Sequence, residues 1–419
     1  MAFEYRNGSL HADAVDLNQL AHDYGTPLYV YSAQQIRANW KQFADHWPQP
    51  HQLCYAVKAN SNLGVLHLLA QLGAGFDIVS GGELARVIAA GGKASATVFS
   101  GVGKSKEEIA YALEQGIGCF NVESAAELER INEIAAAKGV MAPVSFRVNP
   151  DVDAQTHPYI ATGLKANKFG IAMQHAKTVI RRGAEMSHIH VKGVDCHIGS
   201  QILTTQPFLD AADRMLQLIA DVRAEGIEIT HLDMGGGVGI PYQQEKSPAV
   251  SEYLQALLAK AAQFDNLTLM LEPGRAIVGN AGVLLSKVEY YKPGEEKNFL
   301  LVDAGMNDLL RPALYQAYHQ IVAVNEVPES SPSDRLVDVV GPVCETGDFF
   351  GHARHLSANQ DDIIAILNAG AYGFTMSSNY NTRPRAAEVI VDGDQIHLVR
   401  QRERLADLWK GESIMGAKQ

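Results

Sequence analysis

Short, almost continuously apolar runs alternate with amphipathic stretches through the middle of the chain, between residues 50 and 275. Runs of this kind are typical of parallel strands that are buried on both faces. The predicted strands are Leu53–Lys58, Gly75–Ser80, Thr97–Gly101, Cys119–Glu123, Val144–Asn149, Val191–His197, Ile229–Met234 and Thr268–Glu272. Helical spacing predicts Leu63–Leu72, Gly82–Ala90, Lys106–Gln115, Ala125–Lys138, His175–Met186, Pro207–Glu225 and Pro248–Phe264. Eight such strands predict a (β/α)8 TIM-like barrel, with a doubly wound open sheet as the alternative.

The pattern differs on both sides of the barrel. The N-terminal part predicts a hairpin turn at Asn7-Gly8, a helix over Asp16–Tyr24 and a strand over Leu28–Tyr31. Beyond residue 280, strands are predicted without helices between them, at Val283–Tyr291, Phe299–Asp303, Gln320–Val327, Leu336–Val340, Asp362–Leu367 and, folded over Asp392-Gly393, Ala386–Gln401. We therefore expect a barrel domain at residues 36–280 and a C-terminal all-β barrel domain at 281–419. Residues 1–35 are expected to pack with the β domain, which includes the N-terminal strand.

Composition narrows the class of protein. An apolar fraction of 47% with 20% charged residues over 419 residues predicts a globular protein of two domains. The net charge of −12 argues against nucleic-acid or anionic-membrane partners. Neither a secretory signal nor a long apolar run is visible, so we expect a cytoplasmic protein. The scattered cysteines predict no disulfide framework and no metal site, and Cys54, Cys119 and Cys196 lie in apolar runs typical of a core.

Polar residues recur where the predicted strands end. In a barrel, these ends meet at one rim, which is where barrel enzymes keep their chemistry. The unusually long connection between Asn149 and Val191 contains His157–Gly163 and Lys168-Phe169-Gly170, and is predicted to be a substrate-facing loop. The residues at the strand ends are Lys58, Asp77, Ser100, Glu123, Arg147, His197, Gly235-Gly236-Gly237 and Glu272.

Lys58 and two later loops indicate the chemistry of this rim. A lysine at a buried strand end is partly desolvated and can act as a nucleophile toward a carbonyl, although an ordinary ion pair is the alternative. Gly235–Gly237 and Glu272–Arg275 follow the last two strands, where barrels commonly bind phosphate, although glycine runs also make plain tight turns. A reactive lysine, a phosphate cradle and a carboxylate together suggest pyridoxal 5′-phosphate bound through the lysine.

Five motifs then carry a family resemblance. Tyr55–Asn60, Cys196–Gln201, the glycine run, Glu272–Arg275 and Gly341–Asp348 resemble, in order and over nearly the whole chain, the alanine-racemase-like (fold type III) pyridoxal-phosphate-dependent decarboxylases. The resemblance implies that Lys58 attaches the cofactor and that His197 stacks on its ring. It also implies cofactor contacts from Asp77, Arg147, Ser200, Gly235, Gly236, Gly237, Pro273, Gly274, Arg275 and Tyr372.

Glu272 has a role that follows from charge. A carboxylate beside the pyridine nitrogen of the cofactor favours the protonated ring, which is a strong electron sink. Racemases of this fold place an arginine at the corresponding position. Glu272 therefore favours decarboxylation over racemisation.

Cys344 is the candidate proton donor to the substrate carbon. A thiol with an ordinary pKa of about 8.5 is mostly protonated near neutrality. The alternative is a buried strand cysteine, but the following residues Glu345–Asp348 are typical of a polar loop. In the family this loop belongs to a second subunit, so the resemblance implies a homodimer with shared active sites.

The remaining residues concern the small-molecule substrate. Arg311, Tyr315 and Arg275 match family positions that bind a distal carboxylate, with Glu345 facing a distal ammonium and Tyr372 near cofactor and substrate. A bidentate arginine suits a carboxylate, although Arg311 could be a surface residue after a turn. The expected reaction is decarboxylation of meso-2,6-diaminopimelate to L-lysine at its D centre. Two alternatives remain. The protein could decarboxylate a related substrate such as carboxynorspermidine or ornithine, or it could be a catalytically inactive binding protein.

Overall fold

The chain divides into two units, one formed by Ile36–Val278 and the other by Met1–Gln35 together with Gly279–Gln419. The computed structural model describes residues 2–153, 168–326 and 334–415. The predicted loop segment His157–Gly163 lies outside the described residues.

The N-terminal segment begins with a small antiparallel sheet. Its strands are β1 (Phe3–Arg6), β2 (Ser9–Ala12) and β3 (Val15–Asp16), followed by α1 (Leu17–Tyr24) and β4 (Leu28–Ser32). The hairpin turn predicted at Asn7-Gly8 is confirmed, since both residues have positive φ angles, as a tight two-residue turn requires. Asp16 caps α1 by accepting the Asn18 amide hydrogen.

The unit formed by Ile36–Val278 is a closed parallel barrel. Its elements are α2 (Ala33–Ala44), β5 (Gln52–Ala56), α3 (Leu63–Gln71), β6 (Gly75–Ile78), α4 (Gly81–Ala89), β7 (Thr97–Phe99), α5 (Lys106–Glu114), β8 (Cys119–Val122), α6 (Ala125–Lys138), β9 (Ala142–Asn149), β10 (Ile171–Ala172), α7 (Met173–Glu185), β11 (Ile189–Asp195), α8 (Gln206–Ala224), β12 (His231–Asp233), α9 (Val250–Ala261), β13 (Thr268–Leu271) and α10 (Arg275–Val278). The strands pair in the order β5-β6-β7-β8-β9-β11-β12-β13, and β13 pairs with β5. The predicted barrel is confirmed, and the open-sheet alternative is wrong.

Local sequence determines where the barrel helices begin. Serines at positions 80, 105 and 124 precede α4, α5 and α6, and each side chain accepts an amide hydrogen from the first turn. Ser105 and Glu108 form a complete capping box. Inside the barrel, Cys54 and Cys119 are buried, as predicted, and pack with Val98 and Met270.

The other unit is built around a nine-stranded sheet. Its elements after the barrel are β14 (Gly282–Lys292), β15 (Phe299–Val302), α11 (Arg311–Tyr315), β16 (Ile321–Ala323), β17 (Asp334–Val340), β18 (Phe349–Ser357), β19 (Ile363–Ile366), β20 (Ala387–Asp392) and β21 (Gln395–Arg400). The main path is β18-β17-β15-β14-β4-β20-β21, with β19 pairing both β14 and β16. The N-terminal strand β4 is thus part of this sheet, as predicted. In the described part of the chain, no helix combines the length and the apolar character needed to cross a membrane.

Candidate active site

Lys58 lies one turn beyond its strand. The sequence predicts a strand to Lys58, but β5 ends at Ala56 and Lys58 lies in a 3-10 turn formed by Val57–Ala59. The turn directs the amine toward the next strand, where Nζ lies 2.7 Å from Oδ2 of Asp77. Asp77 is completely buried, whereas about a third of the Lys58 side chain (32%) is exposed. The ion pair holds a solvent-accessible amine at the carboxyl end of the barrel.

The loop after β13 packs directly on the Lys58 turn. The Ala56 amide donates to the carbonyl oxygen of Pro273 over 3.2 Å. A Cβ at Gly274 would lie 3.0 Å from the Cβ atoms of both Ala56 and Ala59, so glycine permits this close approach. The backbone of the loop that carries Glu272 is therefore fixed beside Lys58.

The glycine run after β12 is also in close contact with neighbouring backbone, which leaves no room for side chains. A Cβ at Gly236 would lie 2.1 Å from the carbonyl oxygen of Glu272, and one at Gly237 would lie 2.4 Å from that of Gly199. Gly235 and Gly237 have φ angles of +66° and +114°, which favour glycine. The run forms a tight backbone cradle between the rims of β11 and β13.

Arg275 forms one side of this cradle. It is 6% exposed, and its guanidinium donates to Ser200 Oγ over 3.2 Å and to the Tyr242 hydroxyl over 2.8 Å. The structure thus brings Ser200 and Arg275 together. Tyr242 was missed by sequence reasoning, since it follows no predicted strand end.

His197 is neutral. The Gly236 amide donates to its Nδ1 over 3.2 Å, which places the imidazole proton on Nε2. Burial, reinforced by the positive charges of Lys58 and Arg147, lowers the pKa of His197 well below its ordinary value. An uncharged ring at this position can stack on a flat ligand without the cost of desolvating a charge.

Arg147 links the rim to the following loop. Its Nη1 lies 2.7 Å from Oε1 of Glu123, and its guanidinium lies 4.9 Å from the centre of the Phe169 ring. The other oxygen of Glu123 accepts the Gly170 amide hydrogen over 2.6 Å. Of the predicted loop, Phe169 and Gly170 are therefore attached to the rim through this ion pair.

Three buried carboxyl groups meet inside the barrel rim. One oxygen each of Asp195, Asp233 and Glu272 lies within 4.8 Å of the others. Burial raises the pKa of Asp195 and Glu272 well above their ordinary values, with further contributions from the neighbouring carboxylates. Sequence reasoning singled out only Glu272. Asp195 and Asp233 also end their strands, but they were included in apolar runs.

The remaining predicted site residues lie in the unit that contains the nine-stranded sheet. Arg311 is 6% exposed, so the surface alternative is wrong. It donates from Nη1 to Nε2 of His319 over 2.8 Å, and His319 Nδ1 donates to the Leu367 carbonyl over 2.8 Å. This chain of bonds fixes the guanidinium at the start of α11, which also carries Tyr315.

The loop with Cys344 is polar and held at several points. Cys344 is exposed, so the buried-strand alternative is wrong, and its amide donates to Oδ1 of Asn381 over 2.9 Å. Glu345 accepts a hydrogen bond from the Tyr380 hydroxyl. Tyr372 is held at a φ angle of +56°, which is unusual for a large side chain.

Asp348 joins this loop to the segment that leads into α11. Its buried carboxylate accepts the Val343 amide hydrogen over 2.7 Å and the Met306 amide hydrogen over 2.6 Å. Asp348 was not singled out as a site residue by sequence reasoning, because its role depends on contacts between distant segments.

Comparisons with known proteins agree on one family. A family model described as "Pyridoxal-dependent decarboxylase, pyridoxal binding domain" matches residues 33–279. The diaminopimelate decarboxylase of Pseudomonas aeruginosa is 56% identical over 414 residues, covering 99% of both proteins, and that of Vibrio cholerae is 55% identical over 415 residues, again covering 99% of both. The crystal structure of the Helicobacter pylori enzyme complexed with L-lysine has a TM-score of 0.90 at 42% identity, covering 94% of this chain and 98% of that one. The M. jannaschii enzyme has a TM-score of 0.93 at 38% identity, covering 99% of this chain and 98% of that one.

The barrel rim fits pyridoxal 5′-phosphate, the cofactor of this family. Lys58 provides an accessible amine, and the glycine run with Ser200 and Arg275 provides donors suited to a phosphate. Among the described residues, Oε1 of Glu272 has no hydrogen-bond partner although it is buried, as an acceptor for a ring N–H would be. The sequence motifs, the barrel and its rim, and the relatives matched over almost the whole chain lead to one assignment: the chain belongs to the diaminopimelate decarboxylase family of pyridoxal-dependent decarboxylases.

Proposed function

We propose that this chain decarboxylates meso-2,6-diaminopimelate at its D centre to give L-lysine and CO2, the last step of lysine synthesis. The support comes from relatives of that name at 53–56% identity and from related structures that contain L-lysine. One observation carries the proposal: an accessible Lys58 and a buried Glu272 lie on the same barrel rim. Oε1 of Glu272 has no hydrogen-bond partner among the described residues.

Lys58 binds the cofactor covalently, and Asp77 orients its amine through the 2.7 Å ion pair. When bound, pyridoxal phosphate supplies an electron sink for the electron pair left on Cα as CO2 departs. Glu272 holds a proton at the ring nitrogen, which makes that sink stronger. The buried surroundings of Glu272 keep water from competing for this hydrogen bond.

The other rim residues orient the cofactor. Ser200 and the backbone amides of Gly235–Gly237, Gly274 and Arg275 hold its phosphate, while Pro273 fixes the loop. Neutral His197 stacks on the ring, and Arg147 lies near the ring hydroxyl, held by Glu123.

Cys344 delivers a proton from Sγ to the substrate Cα after CO2 has left. Its exposure and its position in a polar loop support this role over a packing role. Asn381 orients the loop by accepting the Cys344 amide hydrogen.

Arg311 orients the substrate by binding its distal carboxylate, and Tyr315 and Arg275 contribute to the same binding. Glu345 binds the distal ammonium. An arginine on the leaving carboxylate would instead stabilise the charged ground state, which opposes the reaction. A decarboxylase for ornithine needs an acidic partner for a terminal amine, whereas a bidentate arginine such as Arg311 suits a distal carboxylate. Tyr372 contacts both cofactor and substrate.

The proposal includes a homodimer in the cytoplasm. Residues 36–280 bind the cofactor, while residues 1–35 and 281–419 form the second domain, and a second copy of the chain supplies Cys344 and Glu345 to each site. Both side chains are exposed, which supports their contact with the active site of another subunit.

A decarboxylation assay tests this function. Purified enzyme with pyridoxal phosphate is given meso-, LL- and DD-diaminopimelate, ornithine and lysine, and CO2 and the amine products are measured. We expect CO2 and L-lysine from the meso isomer, none from the LL isomer, and no product with Lys58→Ala. Equal or faster release of CO2 from ornithine would assign the chain to the alternative substrate class, and no release from any amino acid would favour a binding protein.

A further inference from the structure

Three buried carboxyl groups form a cluster inside the barrel rim. Asp195, Asp233 and Glu272 are 2%, 0% and 4% exposed, and one oxygen of each lies within 4.8 Å of the others. Asp195 Oδ1, Asp233 Oδ2 and Glu272 Oε1 have no hydrogen-bond partner among the described residues. Three ionised carboxylates cannot be buried this close together without compensation.

The nearby cations, Lys58 and Arg147, provide only part of that compensation. Lys58 pairs with Asp77 and Arg147 pairs with Glu123, each at 2.7 Å. Among the described residues, the shortest ion-pair distance from a cation to the cluster is 3.9 Å, from Arg147 Nε to Asp195 Oδ2. The titratable groups that face Asp233 and Glu272 are Lys58, Asp77, Arg147, Asp195, Cys54, Cys119, Cys196 and Tyr253. Most are acidic or neutral. The cluster must therefore hold protons of its own.

The three groups are not equivalent. Oδ1 of Asp233 accepts the Gly235 amide hydrogen over 2.9 Å, which stabilises its anion. Burial raises the pKa of Asp233 only to about 6, whereas it raises the pKa of Asp195 and Glu272 well above their ordinary values. The amide hydrogen bond therefore favours the negative charge of the cluster on Asp233, and the protons on its neighbours.

We propose that Glu272 stores the proton that the cofactor ring requires, and that Asp233 is the positioning residue that sets its affinity. On cofactor binding, the O–H bond of Glu272 breaks, an N–H bond forms at the ring nitrogen, and the Glu272 carboxylate remains beside it. The negative charge of Asp233 stabilises the proton on Glu272 before the transfer and on the ring nitrogen after it. The inference rests on the proposed contact of Glu272 with the ring nitrogen.

The variant Asp233→Asn removes the negative charge of residue 233 and nearly preserves the shape of its side chain. The asparagine carbonyl oxygen can still accept the Gly235 amide hydrogen, so the glycine cradle is retained while the charge is lost. Asp213→Asn is the matched control, because Asp213 is an exposed carboxylate that pairs with Lys260 on α9. Asp233→Ala removes both the charge and the hydrogen bond.

The test uses holoenzyme carrying pyridoxal phosphate labelled with ¹⁵N in the ring, in which the nitrogen resonance reports its protonation. We expect a protonated nitrogen in the wild-type enzyme and in Asp213→Asn. In Asp233→Asn the midpoint of its titration should fall by at least about one pH unit, because a buried charge nearby is lost. Infrared difference spectra on cofactor loading should show loss of a protonated-carboxyl band, and Glu272→Gln should lack this change.

Equal midpoints in wild type and Asp233→Asn, with a shift only in Asp233→Ala, would reduce Asp233 to a structural support and overturn the inference. A neutral ring nitrogen in the wild type, no loss of a carboxyl band, or one equivalent of a tightly bound divalent metal at the cluster would also overturn it. A wild-type chain that binds no cofactor would instead refute the proposed function.

Discussion

Nζ of Lys58 lies 2.7 Å from Oδ2 of a completely buried Asp77. Because Asp77 cannot rotate toward solvent, it holds the amine at the rim even without a ligand. Lys58→Ala should remove covalent cofactor binding, so the purified variant should lack the absorbance band at about 420 nm and give no borohydride-trapped adduct.

Lys260→Ala serves as the control for this variant, since Lys260 is a surface lysine paired with Asp213. It should keep the band. A Lys58→Ala protein that still yields a trapped adduct would assign the covalent bond to another residue.

The sequence predicts much of the barrel and rim, because parallel strands buried on both faces leave uninterrupted apolar runs and polar ends. It does not predict β18, whose residues alternate irregularly between buried and exposed and which pairs with β17 through register shifts. Asp195 and Asp233 were missed for a related reason. Each is a single carboxylate at the end of a short apolar strand, and the sequence pattern assigned it to the apolar run. The pairing of Arg311 with His319 and Leu367 requires the folded sheet and leaves no local pattern.

Cys344→Ala should lower kcat far more than it changes substrate affinity. Removing a general acid typically costs about 10²–10⁴-fold in rate, whereas the substrate is bound by other groups. Steady-state kinetics with meso-diaminopimelate, combined with the cofactor spectrum, measure both effects. Thr346→Ala changes an exposed residue of the same loop and should behave like the wild type. Equal losses in kcat and affinity would contradict the role of Cys344 as proton donor.

Arg311→Leu should strongly reduce kcat/KM for diaminopimelate while the cofactor stays bound. Truncating one partner of a buried charge pair costs about 2–5 kcal/mol, or about 30- to 4,000-fold in kcat/KM. His319→Phe removes the acceptor that fixes the guanidinium and should raise KM more than it lowers kcat.

The control for both variants is Arg404→Leu, an exposed arginine that pairs with Asp407. Unchanged kinetics in Arg311→Leu would refute the assignment of this residue to the distal carboxylate.

Mixing two inactive proteins tests whether active sites are shared. Lys58→Ala and Cys344→Ala each lack one essential group, and a mixed dimer in which sites combine residues of both chains has one intact site. After subunit exchange, up to about a quarter of wild-type activity should return if exchange is random. Differently tagged chains and co-purification verify that exchange has occurred, and absence of recovery after such exchange would indicate that each chain forms its own site.

Asp308 should make stability depend on pH. Burial raises its pKa from 3.8 to about 7, so the folded state binds a proton more tightly than the unfolded chain. The free energy of unfolding should therefore fall as pH rises from about 4 to about 7, by as much as about 4 kcal/mol. Asp308→Asn keeps an acceptor for the Gly305 amide hydrogen and should have nearly the stability of the wild type at pH 4 but exceed it at pH 8. Denaturant titrations at both pH values provide the measurement.

Glu289→Gln is the control for this effect, because Glu289 is a partly exposed carboxylate paired with Lys287. It should leave the pH profile unchanged. A profile of Asp308→Asn that parallels the wild type would place the pH dependence elsewhere.

The carboxylate of Asp348 accepts one amide hydrogen from the segment leading to Arg311 and one from the loop that carries Cys344. A backbone shift in either segment is therefore transmitted to the other through a single side chain. Under the proposed roles, selection for a longer or shorter substrate would also displace the thiol that finishes the reaction. Changes in substrate range in this family should then be accompanied by compensating changes around Met306 and Val343.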